Sequence, residues 1–302
     1  MKNIVKLVII GLGQIGGYLY NELKIKKKDI ELKTGKKIKI VGISAKSKNK
    51  KRKIKIDKTI FYSDPIKMIK ETKPNIVFEV IGQSDGISKR IVEFALKKKI
   101  NIITPNKALI AKHGNNLARL AEKNKVNLEF EASVCGGVPI IRSLKEGLIA
   151  NKIHKIFGIF NGTSNYILSS MDKQNKSFND VLKTAKKLGY AETNPLADLS
   201  GEDVSSKLKI LSSLCFNSFL NKNIHVEGIK NIDKQDIDYA NQLGYKIKLL
   251  GYGESINNII YQRVHPTLIK KSSYVASIDG VLNAVIVDGF PVGQSTIQGE
   301  GA

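Results

Sequence analysis

Gly11-Leu12-Gly13-Gln14-Ile15-Gly16 follows directly on the apolar run Leu7-Val8-Ile9-Ile10 and opens a stretch with helical spacing. Each glycine has its own job. Gly11 permits a tight turn, Gly13 lets the backbone approach a pyrophosphate, and Gly16 lets the helix pack closely on the strand. The first N–H groups of the helix, at Gln14 and Ile15, then face the anion. The bare pattern is common. Placed at residue 11 between a strand and a helix, it predicts a dinucleotide-binding turn. The apolar run stops at the glycines with no small-residue cleavage site, so it reads as a buried strand and not as a signal peptide. No apolar stretch is long enough to span a membrane.

Outward from this turn, residues 1–130 alternate short apolar runs with amphipathic stretches. Strands are predicted at 5–10, 38–43, 75–81, 101–104 and 127–131, and helices at 16–24, 64–71, 88–98 and 109–124. Asp64-Pro65 supplies an N-cap and a first-turn proline. Such alternation implies an α/β fold, a parallel sheet with helices on both faces, of the Rossmann type. After Glu131 the pattern changes. Helices are predicted at 139–147, 166–171, 178–188 and 201–214, and strands at 153–161, 259–267 and 284–287. The chain therefore divides into a nucleotide-binding domain, 1–130, and a second mixed α/β domain, 131–302. The basic segment 44–58 reads as a long surface loop.

The 302 residues carry a net charge of +23, which raises nucleic acid and anionic membranes as partners. The lysines are spread along the whole chain, Trp is absent and no aromatic-interleaved binding motif is present, so the charge reads as a solvated surface with neither partner. Two cysteines, Cys135 and Cys215, are too few for a disulfide framework and suit a reducing cytoplasm.

Five further segments carry chemistry. The second strand runs into Ser44-Ala45-Lys46 with no acid to hold ribose hydroxyls. Ser44 and Lys46 suit a 2′-phosphate, favouring NADP while leaving NAD open. Thr104-Pro105-Asn106-Lys107 lies just past a strand end, on the edge that faces ligand in open α/β sheets, so Lys107 is a candidate cofactor contact. In Glu131-Ala132-Ser133-Val134-Cys135-Gly136-Gly137-Val138-Pro139 the glycines leave backbone carbonyls free for a small oxygen-ligand cation site. Cys135 there reads as a buried inert thiol. Asn161-Gly162-Thr163-Ser164-Asn165 is a polar turn whose N–H groups suit a carboxylate, with Thr163 in it. The richest segment runs from Gly189 through Glu192, Asp198 and Asp203 to Lys207. Asp203 and Lys207 are four apart and share a helix face. Val204, Leu208 and Leu211 make that helix apolar, which places the pair at a cleft.

Together these segments resemble the homoserine dehydrogenases, over nearly the whole chain. The resemblance implies reversible reduction of L-aspartate 4-semialdehyde to L-homoserine with NAD(P)H, in threonine and methionine biosynthesis, by a homodimer. It makes Lys207 the catalytic lysine. Asp203 and Glu192 contact the amino-alcohol, Asp198 supports that pocket, and Gly189 and Thr163 border it. Lys107 lies between cofactor and substrate and is counted with the cofactor residues. Glu131, Val134, Gly136 and Val138 supply carbonyl oxygens to a monovalent cation such as sodium or potassium. Asn194 stands where the family commonly has aspartate. The chain ends in Gln298-Gly299-Glu300-Gly301-Ala302. In the family such a glycine turn leads into a helix returning to the nucleotide domain, so truncation is expected there.

Two other readings compete. One is an acylating semialdehyde dehydrogenase with Cys135 as nucleophile, which needs a partnered base and leaves Asp203 and Lys207 without a role. The other is a non-enzymatic Rossmann module acting as a redox sensor or nucleic-acid binder.

Overall fold

The structure, a computed structural model, describes residues 4–49, 52, 54–57, 60–217 and 224–301. It divides into two compact units, Met1–Ser133 and Val134–Ala302. Lys50, Lys51, Lys53 and Lys58 of the basic segment, and Ala302, lie outside the described residues.

The first unit runs β1 (Ile4–Ile10), α1 (Gln14–Ile25), α2 (Lys27–Thr34), β2 (Lys37–Ser44), β3 (Phe61–Tyr62), α3 (Pro65–Thr72), β4 (Ile76–Glu79), α4 (Ile87–Lys97), β5 (Asn101–Ile103), α5 (Lys107–Asn124) and β6 (Leu128–Glu129). Its six strands are all parallel, in the order β3-β2-β1-β4-β5-β6. The order reverses between β1 and β4, and ligands bind outside the carboxyl ends of strands at such a point. Burial on both faces explains the continuous apolar run in β1, where Leu7 to Ile10 are all buried. Asp64 caps α3 as the sequence predicts, its carboxylate accepting the Ile66 and Lys67 amides at 2.7 and 3.2 Å.

Three local expectations change. The helix α2 has no apolar stripe and buries no residue, so periodicity does not announce it. The strand expected to reach Glu131 stops at Glu129, and Glu131–Ser133 form a 3-10 turn. The 44–58 segment is not purely surface. Ile54 and Ile56 pack against the cluster of Ile9, Leu12, Tyr20 and Ile43, and the Asp57 amide donates to the Tyr20 hydroxyl at 3.1 Å.

The second unit opens with a short helix α6 (Ile140–Arg142), continued by a π-turn at Ser143–Gly147. Then come β7 (Lys152–Ile159), α7 (Gly162–Gln174), α8 (Phe178–Leu188), α9 (Leu196–Ser200), α10 (Glu202–Phe216), β8 (His225–Val226), α11 (Lys234–Gln242), β9 (Tyr245–Ile256), β10 (Ile259–Lys270), β11 (Leu282–Phe290) and β12 (Gly293–Glu300). Its mixed sheet has the order β12-β11-β7-β9-β10-β8. The central helix α10 packs on it through Val204, Leu208 and Leu211, all fully buried. The sheet makes room for Phe160: a Cβ on Gly251 would lie 2.6 Å from its ring. The glycine turn expected at 299–302 is corrected. Gly299 and Glu300 are extended and pair with Asn283 and Leu282 as the end of β12, because the antiparallel ladder with β11 outweighs the local preference of glycine for turns.

Candidate active site

In the first unit the turn after β1 is built tightly. The Gly11 amide donates to the Ser44 carbonyl at 2.8 Å, which ties the ends of β1 and β2. Gly11 has φ +103, and a Cβ on it would lie 2.6 Å from the Val80 carbonyl oxygen. At Gly16 a Cβ would lie 1.9 Å from the Gly11 oxygen, whereas a Cβ on Gly13 would meet no other described residue beyond its chain neighbours within 4 Å. The N-terminus of α1 has no side-chain cap and no acid in its first turn. The N–H groups at Gln14 and Ile15, in its first turn, have no intrahelical acceptor, which suits a dinucleotide pyrophosphate.

Ser44, the last residue of β2, is buried, and Lys46 just beyond it is exposed. Arg52, which the sequence reading passed over as one more basic residue, folds back over this turn. Its guanidinium donates to the Ser47 and Lys48 carbonyls at 2.6 and 3.3 Å. The available signal was an arginine amid lysines, a planar fork where the neighbours are point charges. Past β5, Asn106 caps α5 by accepting the Leu109 amide at 3.1 Å, and Lys107 is the exposed first residue of that helix.

The second unit gathers the other predicted side chains. Gly201, left-handed at φ 84, separates α9 from α10 and sets Asp203 in the first turn of α10. The Lys207 ammonium lies 2.7 Å from the Asp203 carboxylate, with side chains 12% and 3% exposed. It also donates to the Phe160 carbonyl at 2.6 Å. Asn161, which the sequence reading treated only as part of a polar turn, is the hub. Its oxygen accepts the Ser164 amide at 2.8 Å and caps α7. Its amide nitrogen donates to Asp198 at 2.7 Å and Asp203 at 2.9 Å. Nothing in its local sequence announces partners 37 and 42 residues away.

Thr163 donates to the Tyr190 carbonyl at 2.6 Å, and the Tyr190 ring stands 4.9 Å from that of Tyr166. Gly189 is the left-handed C-cap of α8 at φ 80, leading into the exposed loop that carries Glu192. The structure thus joins Asp198, Asp203 and Lys207 through Asn161, and Thr163 to the 189–195 loop. Glu192 stands exposed on that loop.

Cys135 is buried. Burial pushes its thiol up, while the Lys207 charge and a 3.4 Å hydrogen bond from the Asn283 amide pull it down by less. A thiol held protonated is a poor acyl nucleophile. The arrangement suits instead a buried ammonium whose position is fixed by a carboxylate and a carbonyl. Among the described residues those two engage two of its three N–H bonds.

A Rossmann unit with a glycine turn shaped for a dinucleotide and a second unit carrying a buried lysine–aspartate pair are the parts of a nicotinamide-dependent oxidoreductase acting on a CH–OH group. Comparison with known proteins gives the family. Residues 139–302 match the family model described as homoserine dehydrogenase, and residues 11–131 match that described as homoserine dehydrogenase, NAD binding domain. A homoserine dehydrogenase of Neisseria gonorrhoeae is 42% identical over 99% of this chain and 68% of its own length. One from Helicobacter pylori is 39% identical over 100% of this chain and 70% of its own. A crystal structure of a homoserine dehydrogenase from Thiobacillus denitrificans superposes with a TM-score of 0.91 at 36% identity, covering 100% of this chain and 70% of that one. The chain belongs to the homoserine dehydrogenase family.

Proposed function

We propose that this chain interconverts L-aspartate 4-semialdehyde and L-homoserine with Lys207 as proton donor and acceptor at the substrate oxygen. The observation that carries this reading is the Lys207 ammonium, buried and held at 2.7 Å by Asp203 and 2.6 Å by the Phe160 carbonyl. When bound, the reduced nicotinamide supplies a hydride to the aldehyde carbon. As the carbonyl oxygen gains charge, Lys207 stabilises it and delivers a proton from the N–H that Asp203 and Phe160 leave. In the reverse direction the lysine takes that proton back.

Asp203 keeps the ammonium charged and aimed. Asn161 keeps Asp203 and Asp198 in place. Glu192 and Asp203 offset the positive charge of the substrate amino group, Asp198 supports them, and Gly189 and Thr163 shape the pocket wall. The second unit, 131–302 in the sequence division, thus acts as the catalytic and dimerising domain, and the first binds the cofactor through Gly11, Gly13, Gln14, Ile15, Gly16, Ser44, Lys46 and Lys107.

NADP is the preferred cofactor. β2 ends without an acid, Lys46 is exposed beyond it, and Arg52 folds onto the same turn. A monovalent cation, sodium or potassium, is bound by carbonyl oxygens of Val134, Gly136 and Val138, with Glu131 assigned on the family resemblance. Cys135 and Gly136 are successive left-handed residues, and the Val138 amide closes the turn onto the Cys135 carbonyl at 2.9 Å. Exposed Ile259, Tyr261 and Leu268 on β10 support a homodimer. A cytoplasmic setting suits the two unpaired thiols, and no described helix is long and apolar enough to cross a membrane.

The test is homoserine-dependent reduction of NADP and NAD by the purified chain in sodium, potassium and choline buffers. Turnover with homoserine, higher with NADP and dependent on a small cation, supports the reading. Absence of homoserine oxidation by a folded, cofactor-binding protein overturns it.

A further inference from the structure

Glu79 closes β4 and is completely buried, the one charged side chain so placed among the described residues of the first unit. Among the described residues its oxygens meet four hydrogen-bond donors, none of them an ammonium or guanidinium. One carboxylate oxygen accepts the Ile81 amide at 2.9 Å and the Ser88 hydroxyl at 3.0 Å. The other accepts the Thr104 hydroxyl at 2.7 Å and the Asn106 amide at 3.3 Å. Taking a carboxylate out of water is costly, and packing alone would be served as well by an apolar residue.

The four donors show what the charge achieves. Ile81 and Ser88 flank the turn after β4, and Thr104 and Asn106 form the turn after β5. Asn106 passes the connection on: its amide also donates to the Gln83 carbonyl at 2.8 Å, and its oxygen caps α5. Glu79 pairs in register with Ile10, the residue before Gly11, and the Val80 carbonyl lies against Gly11. One carboxylate therefore ties the turn after β4, which neighbours the glycine turn where the strand order reverses, to the turn after β5 one strand further out.

We infer that Glu79 is a positioning residue for cofactor binding, fixing the turns after β4 and β5 at the spacing the dinucleotide needs. It acts through Thr104 and Asn106 and touches no reacting atom. This rests on the nicotinamide cofactor lying at that edge. The NADPH-binding readout does not depend on which substrate the enzyme oxidises, so its failure is distinct from failure of that reading.

Glu79→Gln keeps the size but turns one acceptor into a donor facing donors. Binding of NADPH, followed by its fluorescence, weakens about tenfold or more, the scale of a lost hydrogen bond to a charged group. The KM for homoserine stays within about twofold. Because the variant faces a folding risk, Thr104→Val and Thr104→Ser form a second pair. Removing the hydroxyl weakens NADPH binding, and serine restores it. In the double variant Glu79→Gln with Thr104→Val the losses do not add, since both break one contact. The inference is overturned if folded Glu79→Gln binds NADPH as the parent does, if the KM for homoserine rises as steeply as that for the cofactor, or if Thr104→Ser behaves as Thr104→Val.

Discussion

The Lys207 ammonium and the Asp203 carboxylate stand 2.7 Å apart on successive turns of α10, both nearly removed from water. On a solvated helix such an i,i+4 pair contributes a few tenths of a kcal/mol and little else. Here Val204, Leu208 and Leu211 hold the helix against the sheet, and the pair is pressed toward Asn161 and the Phe160 carbonyl.

Lys207→Ala therefore keeps cofactor binding and loses turnover by about a hundredfold or more, the scale of a lost general acid or oxyanion donor. Steady-state rates with homoserine, beside NADPH binding, check this. Near-parental turnover would remove Lys207 from the chemistry.

Asn161→Ala removes the amide that bridges Asp198 and Asp203 and the oxygen that caps α7. Loss of the cap alone costs about 1 kcal/mol. Two carboxylates also lose a donor, each at about 1–3 kcal/mol where buried. Turnover falls about tenfold and urea unfolding shifts to lower concentration. Asn161→Asp keeps the cap but loses both donated bonds and sets a third carboxylate beside two others, so turnover and the unfolding midpoint fall at least as far as with alanine. An aspartate variant with parental turnover and midpoint would mean that Asn161 acts as a cap only.

Arg52→Ala and Lys46→Ala each lower kcat/KM for NADP about tenfold and leave that for NAD unchanged. A 2′-phosphate held by charge-assisted bonds loses roughly 1.5–3 kcal/mol with each partner removed. Equal losses with both cofactors would show that these groups only shape the turn after β2.

The Rossmann half was legible because its signals are local. The glycine turn, the apolar run of β1 and the Asp64-Pro65 cap each lie within a few residues of what they determine. Lys207 and Asp203 were legible because helical spacing places them together. Asn161 and Glu79 were not, since the partners that give each its linking role, Asp203 and Thr104, lie 42 and 25 residues away and neither residue type announces burial. β9 escaped because Gly251 and Gly253 interrupt its pattern, and the reason for those glycines is contact with Phe160 and Ser212. Gly299 and Glu300 were misread because a strand pairing partner is invisible to a local turn preference.

Lys248 supplies the last test, on stability. It is almost fully buried on β9 and donates to Asp279 at 2.8 Å, to the Ile278 carbonyl at 2.6 Å and to Asn165 at 3.1 Å. Lys248→Met fits the space and leaves those acceptors short of a donor. Asp279 keeps Lys173 at 2.8 Å and Lys246 at 3.6 Å, so the loss is about 3 kcal/mol, at the low end for breaking a buried pair. The pH dependence has a definite sign. Burial alone would raise the Asp279 carboxyl, but the hydrogen bonds from Lys173 and Lys248 outweigh it and hold the group down to about 2. The folded chain thus releases this proton more readily than the unfolded chain, whose aspartate titrates near 3.9. The contribution of Asp279 is complete above about pH 4 and drains away as pH falls toward 2. Lys248 is itself pushed below its ordinary value by burial against the pull of Asp279, so its own contribution rises with pH on the alkaline side. Urea unfolding of parent and Lys248→Met at pH 7, 4 and 2.5 should show a gap of about 3 kcal/mol that persists to pH 4 and narrows below it. A gap that is already closed at pH 5, or that is absent at pH 7, would show that the Lys248–Asp279 pair does not hold β9 to the Ile278–Asp279 turn.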